Sequence, residues 1–243
     1  MVPRPETEHW VQHLSQVLLE SSSSLSKTTN SKGKFRILDI GTGSGCIALG
    51  LTRSLLNARS GTIVETIGID QSEEAVELAR ENTVRCSLEN EVRIEKMDLF
   101  EEGFGDEVMK YQEEGEEEGG KGFDLIVSNP PYITREEFEG LDKSVKNWED
   151  RKALVGESPL TTTREDKGMD DGLIFYRRIT SLLPSLLRDS LTNTKGGGGP
   201  VVAFEVGKGQ AREVGGLLRR EGFKSEIVSD PWGVERAVFG WRR

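Results

Sequence analysis

The alternation of short apolar runs with amphipathic segments predicts an α/β fold: a seven-stranded, mostly parallel sheet with helices on both faces. Two observations carry that reading. Seven strand-like runs recur along the chain, most of them separated by stretches with apolar residues at helical spacing. One of them, Phe123 to Ser128, contains a run (Phe-Asp-Leu-Ile-Val) that suits a strand covered on both sides rather than one with a wet face. At 243 residues the chain is long enough for one substantial core and does not require two.

Taken in order, Phe35 to Ile40 is the first strand and Cys46 to Leu56 the first helix of the sheet unit. Thr62 to Ile69 is the second strand. Ser72 then caps a helix that carries Ala75, Val76, Leu78 and Ala79, with Glu74 and Glu77 near its start. Val92 to Lys96 and Phe123 to Ser128 follow as strands three and four. After a long excursion come a helix from about Gly172 to Leu187, a strand Val201 to Val206, a helix Gln210 to Glu221, and closing strands near Lys224 to Val228 and Arg236 to Trp241. Low-complexity stretches read as surface loops: Ser21 to Asn30, the acidic run Glu113 to Glu118 with its following glycines, Ser158 to Lys167, and Thr192 to Pro200.

Bulk properties exclude several classes. No apolar run approaches the roughly 20 residues of a membrane span, and the first ten residues carry two acids, Glu6 and Glu8, where a targeting peptide would be basic. Two cysteines, Cys46 and Cys86, are too few for a disulfide framework. His9 and His13 stand at i, i+4, but no third ligand accompanies them, so no metal is expected. Trp10, Trp148, Trp232 and Trp241 are scattered, which assigns them to core or rim packing. The formal charge of −10 disfavours a protein that grips long duplexes, although the acidic run supplies much of it.

In an open parallel sheet, ligands sit at the carboxyl ends of the strands. Strand one ends in Asp39-Ile40-Gly41-Thr42-Gly43-Ser44-Gly45-Cys46. The glycines allow a tight turn against a ligand, and the following helix offers its N-terminal amides. A plain βα turn is the bland alternative. A dinucleotide fingerprint would place glycine where Cys46 stands. The pattern Asp-x-Gly-x-Gly-x-Gly instead resembles the first motif of class I methyltransferases, whose cofactor carries an amino acid and no phosphate.

Strand two ends in Asp70, about 25 to 30 residues past the glycine turn, where a ribose-binding acid is expected. A helix-cap role for Asp70 competes with Ser72. Strand three ends in Met97-Asp98-Leu99-Phe100, a position that in the resembled class contacts the adenine edge; a loop acid is the alternative. Strand four ends in Ser128-Asn129-Pro130-Pro131-Tyr132. A planar amide or aromatic amino nitrogen has a delocalised lone pair, so an enzyme that methylates it must hold both N–H groups and aim the nitrogen at the methyl. The Asn129 side-chain oxygen and the Pro130 carbonyl can each accept one hydrogen bond, the prolines stiffen the backbone, and Tyr132 offers a flat wall.

Over nearly its whole length the chain resembles the release-factor glutamine N5-methyltransferases, the PrmC/HemK family. The similar stretches are Val2 to Glu8, Asp39 to Gly45, Asp124 to Ile133, Ala153 to Gly156, Asp171 to Arg177, Phe204 to Gln210 and Arg236 to Gly240. The Asn-Pro-Pro-Tyr motif is shared with adenine amino-methylating enzymes, whereas the Pro-Arg-Pro-Glu-Thr segment is far more specific to the glutamine enzymes. The resemblance implies a Rossmann-like, class I fold with an antiparallel C-terminal strand. It implies N5-methylation of the glutamine in the Gly-Gly-Gln motif of a class I peptide-chain release factor, with S-adenosylmethionine as cofactor.

By the same resemblance, Asn129, Pro130, Pro131 and Tyr132 hold the amide, with Asn129, Pro130 and Tyr132 catalytic. Arg4, Pro5 and Thr7 line the approach of the substrate loop. Asp39, Gly41, Thr42, Gly43, Gly45, Asp70, Asp98, Leu99 and Asn129 hold the cofactor. Glu205 faces the same rim in a catalytic or structural role. Residues 1–34 are expected to form an N-terminal helix and Ser-rich linker, and 35–243 the catalytic domain.

Family members usually carry a helical domain before the Pro-Arg-Pro segment, at which this chain begins. The longer inserts suit a eukaryotic member, mitochondrial by analogy, with cytoplasm the alternative, and a monomer is expected. Competing readings are an N6-adenine methyltransferase on RNA or DNA, a ribosomal-protein glutamine methyltransferase, a non-catalytic cofactor-binding subunit, and an NAD oxidoreductase. The last is disfavoured by Cys46.

Overall fold

The computed structural model describes residues 4–21, 34–58, 63–112, 120–142, 151–156, 171–188 and 198–243. Val2, Pro3, Trp148, the acidic run and the Ser158 to Lys167 stretch lie outside them, as do most of Ser21 to Asn30 and of Thr192 to Pro200.

The elements run α1 (Pro5–Glu20), β1 (Lys34–Ile40), α2 (Cys46–Ala58), β2 (Ile63–Asp70), α3 (Glu73–Arg85), β3 (Val92–Lys96), α4 (Phe104–Met109), β4 (Leu125–Ser128), α5 (Arg135–Gly140), a short 3-10 turn (Arg151–Ala153), α6 (Ile174–Leu186), β5 (Val202–Glu205), α7 (Ala211–Arg220), β6 (Lys224–Ser229) and β7 (Glu235–Trp241). They form a seven-stranded sheet in the order β3-β2-β1-β4-β5-β7-β6. The first five strands pair in parallel, and β7 inserts antiparallel between β5 and β6. The chain winds outward from β1 through β2 to β3, then restarts on the other side of β1 with β4. The crevice between β1 and β4 is thus the switch point at which such sheets bind ligands.

Period-two geometry splits the strand residues between two cores. Leu38, Ile40, Ile126 and Phe204 enter one cluster with Tyr176, Ile179 and Leu183 of α6 and Val214 and Leu218 of α7. Ile37, Leu125, Val127 and Ala203 point the other way, into a cluster with Trp10 and Leu14 of α1 and Leu51 and Leu55 of α2. Helix α1 starts with Pro5 in its first turn, where a missing N–H costs nothing. It buries Trp10 completely, edge-on to Phe239 at 6.4 Å between ring centroids.

Most predicted elements appear within a residue or two of their expected bounds. Strand β4 starts at Leu125 rather than Phe123, because Phe123 bonds outside the ladder: its N–H donates to the Leu186 carbonyl at 2.8 Å and its carbonyl accepts from Arg188 N–H at 2.9 Å. Helices α4 and α5 were not foreseen. Helix α5 buries none of its residues and so has no apolar stripe; a capping box between Thr134 and Glu137 defines its start. Trp232, expected to pack, is 81% exposed on the turn between β6 and β7. The Asp230 carboxylate holds that turn by accepting from the Trp232 and Val234 amides at 3.0 and 2.9 Å.

Replacing Trp10 by Ala is expected to remove about 3–5 kcal/mol of stability, the usual loss for a fully buried large aromatic. Urea unfolding monitored by circular dichroism checks it. A loss below about 1 kcal/mol would show that α1 is not part of the cooperative core.

Candidate active site

Five parallel strands deliver their carboxyl ends to one rim. After β1, the Gly41 and Thr42 amides both donate to the Ile69 carbonyl, at 2.9 and 2.8 Å, hooking the glycine turn onto the end of β2. Gly45 has φ +80°, a backbone conformation that favours glycine, and a Cβ there would come to 3.3 Å from the Leu49 side chain. The turn also engages the acids named from the sequence. The Asp39 Oδ2 atom accepts from the Thr42 hydroxyl at 2.7 Å and the Ala48 amide at 3.1 Å. Asp70 takes the Gly43 amide on Oδ2 and the Ser72 amide on Oδ1, each at 2.9 Å, while Ser72 itself caps α3 through the Ala75 amide. Asp70 is therefore part of the glycine turn, and the cap belongs to Ser72.

Beyond β3, Asp98 accepts from the Phe100 amide at 2.9 Å. The buried Leu99 offers its carbonyl to Arg178 of α6 at 3.1 Å. Beyond β4, the Ser128 hydroxyl donates to the Ile40 carbonyl at 2.6 Å and fastens the start of the Asn-Pro-Pro-Tyr turn to β1. Downstream, the Ile133 amide donates to Leu154 at 2.9 Å and the Gly156 amide to Ile133 at 3.0 Å, a short parallel bridge that binds Leu154–Gly156 to the turn. Among the described residues no hydrogen bond engages the Asn129 side chain or the Pro130 carbonyl.

Glu205, at the end of β5, is 4% exposed. Its Oε2 accepts from the Thr7 hydroxyl at 2.6 Å and the Trp10 indole at 2.8 Å, and its backbone carbonyl from the Tyr176 hydroxyl at 2.8 Å. This carboxylate ties α1, and with it the Arg4-Pro5-Glu6-Thr7 segment, to the rim. Thr7 itself is buried in that contact. Arg4, Pro5, Thr7, Glu8 and Gln12 line a groove of about 370 Å³ against Cys46 and Ser54 of α2, and none of Asn129 to Tyr132 borders it.

Negative charge is concentrated here at a cost. Burial pushes the Asp39 carboxyl up to about 7, against the lowering effect of the Thr42 and Ala48 bonds. Burial likewise raises Asp70, despite its three backbone donors. It raises Glu205 too, although Thr7, Trp10, Arg4 and Arg236 all favour the charged form. The phenol of Tyr132 is raised by burial and then by the nearby charge of Glu205. The Asp39 Oδ1 atom is buried without a partner. A cationic ligand offsets such crowding, and a sulfonium cofactor with an ammonium group has that charge. The glycine turn and Asp70 would hold it, with Asp98, Leu99 and Asn129 along the same rim.

The structure thus places Asp39, Gly41 to Gly45, Asp70, Asp98, Leu99 and Asn129 to Tyr132 along the carboxyl-end rim of the sheet, and ties Thr7 to that rim through Glu205. Gln210, Tyr176 and Trp10 also serve this rim and were not picked out as site residues. Gln210 belonged to a similar stretch, Phe204 to Gln210, but nothing local announces a contact 78 residues away in the chain. His13 stacks on Phe239, with ring centroids 5.9 Å apart. Among the described residues no group of three His, Cys, Asp or Glu side chains could hold a metal, and no helix is long and apolar enough to cross a membrane.

The sheet order and the glycine turn define a methyltransferase domain, and a family described as "Methyltransferase domain" matches residues 31–158. The fold is shared with the N-terminal domain of human METTL16 solved in complex with SAH, 16% identical, with a TM-score of 0.56 over 99% of this chain and 72% of that one. The release factor glutamine methyltransferase of Clostridium acetobutylicum is 33% identical over all of this chain and 67% of its own length. That of Fusobacterium nucleatum is 33% identical over 98% of this chain and 52% of its own. The chain belongs to the release factor glutamine methyltransferase family, and spans between about half and two thirds of the length of these relatives. Its cofactor is S-adenosylmethionine.

The Asp39 shift makes a pH prediction for the cofactor-free chain. The carboxyl titrates near 3.8 when unfolded and near 7 when folded. The stability linked to its protonated form is therefore fully present below the unfolded value and lost as pH rises through the folded one. Asp39→Asn, neutral at every pH, should gain roughly 2–3 kcal/mol on the wild type between about pH 5 and pH 8 in urea unfolding. A difference that does not change with pH would mean that Asp39 is ionised throughout.

Proposed function

We infer that this chain transfers a methyl group from S-adenosylmethionine to the side-chain nitrogen of a glutamine, in the Gly-Gly-Gln motif of a class I peptide-chain release factor. The observation that carries the reading is the pair of unused acceptors after β4, the Asn129 side-chain oxygen and the Pro130 carbonyl, on a turn otherwise held at both ends. A primary amide presents two N–H donors in one plane, and two acceptors on a stiff backbone suit that plane. Tyr132, packed at the edge of the larger core cluster, supplies a wall for it. Release factor glutamine methyltransferases that align over 98–100% of this chain support the choice of a glutamine amide.

Bound S-adenosylmethionine supplies a methyl group on a sulfonium, a leaving group that is already activated. The chain's own residues then have two tasks. Asn129 and Pro130 fix both N–H groups, so that the nitrogen faces the methyl in one orientation, which is a positioning contribution to rate. The carboxylates of the rim set a negative potential that favours a cationic cofactor over a neutral product. A monomer and a mitochondrial release factor as substrate complete the proposal; they rest on the family resemblance and on the eukaryotic type of the surface inserts.

Asn129→Ala should lower kcat by about 100-fold or more, the scale on which a lost positioning contact acts. The dissociation constant for S-adenosylmethionine, measured by calorimetry, should change by less than about tenfold, because the glycine turn and Asp70 are untouched. Turnover within a few-fold of wild type would remove Asn129 from the mechanism.

A further inference from the structure

We propose that Gln210 is a positioning residue for amide methylation: its side chain anchors the Tyr132 carbonyl, and so sets where the Asn129 and Pro130 acceptors stand. The inference rests on the glutamine reading above for its activity readout, and on geometry alone for its second readout.

Pro130 and Pro131 have no N–H to donate. Between the Ser128 hydroxyl on one side and the Ile133 amide on the other, the hydrogen bond that holds the turn among the described residues comes from Gln210, whose Nε2 donates to the Tyr132 carbonyl at 2.9 Å. The same nitrogen lies 3.4 Å from the Asp171 carbonyl, and Oε1 accepts from the Gly207 amide at 3.0 Å. These partners fix the amide's orientation, since a flipped amide would set its NH₂ against an N–H and its oxygen against two carbonyls. The side chain also has a fixed base. Gln210 is the residue that opens α7, its amide donating to Gly207 and its carbonyl accepting from Glu213 and Val214.

Space around the tie is equally constrained. A Cβ at Gly207 would lie 2.7 Å from Oε1 and 2.9 Å from the Tyr132 ring. One at Gly172 would lie 2.1 Å from the Tyr132 carbonyl and 2.7 Å from Nε2. Two glycines from separate segments thus make room for one hydrogen-bonded contact, which a merely packed residue does not require. Charged residues near Gln210 include Asp171, ion-paired with Arg177, and Glu213, whose amide donates to the Gln210 carbonyl, with Lys208 and Arg212 two positions away in the chain. The hydrogen bonds from Arg177 hold the Asp171 carboxyl below the usual range, so that pair keeps its charges across neutral pH.

The test uses Gln210→Glu and Gln210→Leu in the full chain, each measured relative to wild type near neutral pH. A glutamate at its ordinary pKa of about 4.3 is ionised there: it keeps the shape of the side chain but cannot donate to the Tyr132 carbonyl, and leucine has no donor at all. In both variants kcat on a Gly-Gly-Gln protein substrate should fall by about 30-fold or more, with KM and cofactor affinity nearly unchanged.

Hydrogen exchange of the peptide spanning 126–138 should show a matching loss of protection in both variants without any need for turnover. Full kcat in either variant, a defect carried by KM alone, or unchanged exchange in both variants would overturn the proposal. A wild-type chain that methylates no glutamine would instead refute the functional reading, and hydrogen exchange would still decide whether the tie exists.

Discussion

Two consecutive prolines after β4 create a stretch of backbone that can accept hydrogen bonds but cannot donate them, and much of the rim is arranged around that fact. A turn of this kind gains nothing from its own N–H groups, so it must be fixed from outside. The Ser128 hydroxyl pins its start to β1, Leu154 to Gly156 bind its far end, and Gln210 reaches its middle from the start of α7. Its unengaged carbonyl and the neighbouring Asn129 amide are then left as acceptors just past the carboxyl end of β4. The same absence of donors that makes the turn hard to hold makes it suited to binding a donor-rich planar group.

Buried negative charge is the second constraint. Asp39, Asp70 and Glu205 would each be easier to fold as neutral residues, and desolvation raises all three. Asp39 and Asp70 shape the glycine turn by accepting backbone amides, so their charge is tied to the geometry of that turn. Glu205 joins α1 to the sheet through Thr7 and Trp10, which makes the N-terminal segment part of the same electrostatic unit. Arg236 adds a second link: it lies 2.9 Å from Asp230 and 3.7 Å from Glu6, joining β7 to the start of α1.

Much of this was legible in the residues, for physical reasons. Parallel strands buried on both faces appear as short apolar runs, and the rule that ligands gather at their carboxyl ends singles out Asp39, Asp70, Asp98 and Asn129 from the sequence. Helix α5 was missed because it buries nothing, although its Thr134-to-Glu137 capping box was present to be noticed. The tie from Gln210 to Tyr132 joins positions far apart in the chain, and no period or local pattern encodes it. Glu205 was placed on the correct rim, but its partners on α1 depend on how that helix docks. Thr7, read as lining the approach, borders the groove with Arg4 and Pro5, and its hydroxyl also bonds to the Glu205 carboxylate, a partner that spacing does not reveal.

The most direct measurement is mass spectrometry of a class I release factor and an adenine-containing oligonucleotide, each incubated with this chain and S-adenosylmethionine. The account predicts the added mass of one methyl group on the glutamine of the Gly-Gly-Gln peptide and none on the oligonucleotide. Methyl on adenine, with the glutamine unmodified, would contradict it and assign the Asn129 to Tyr132 turn to an aromatic amino group.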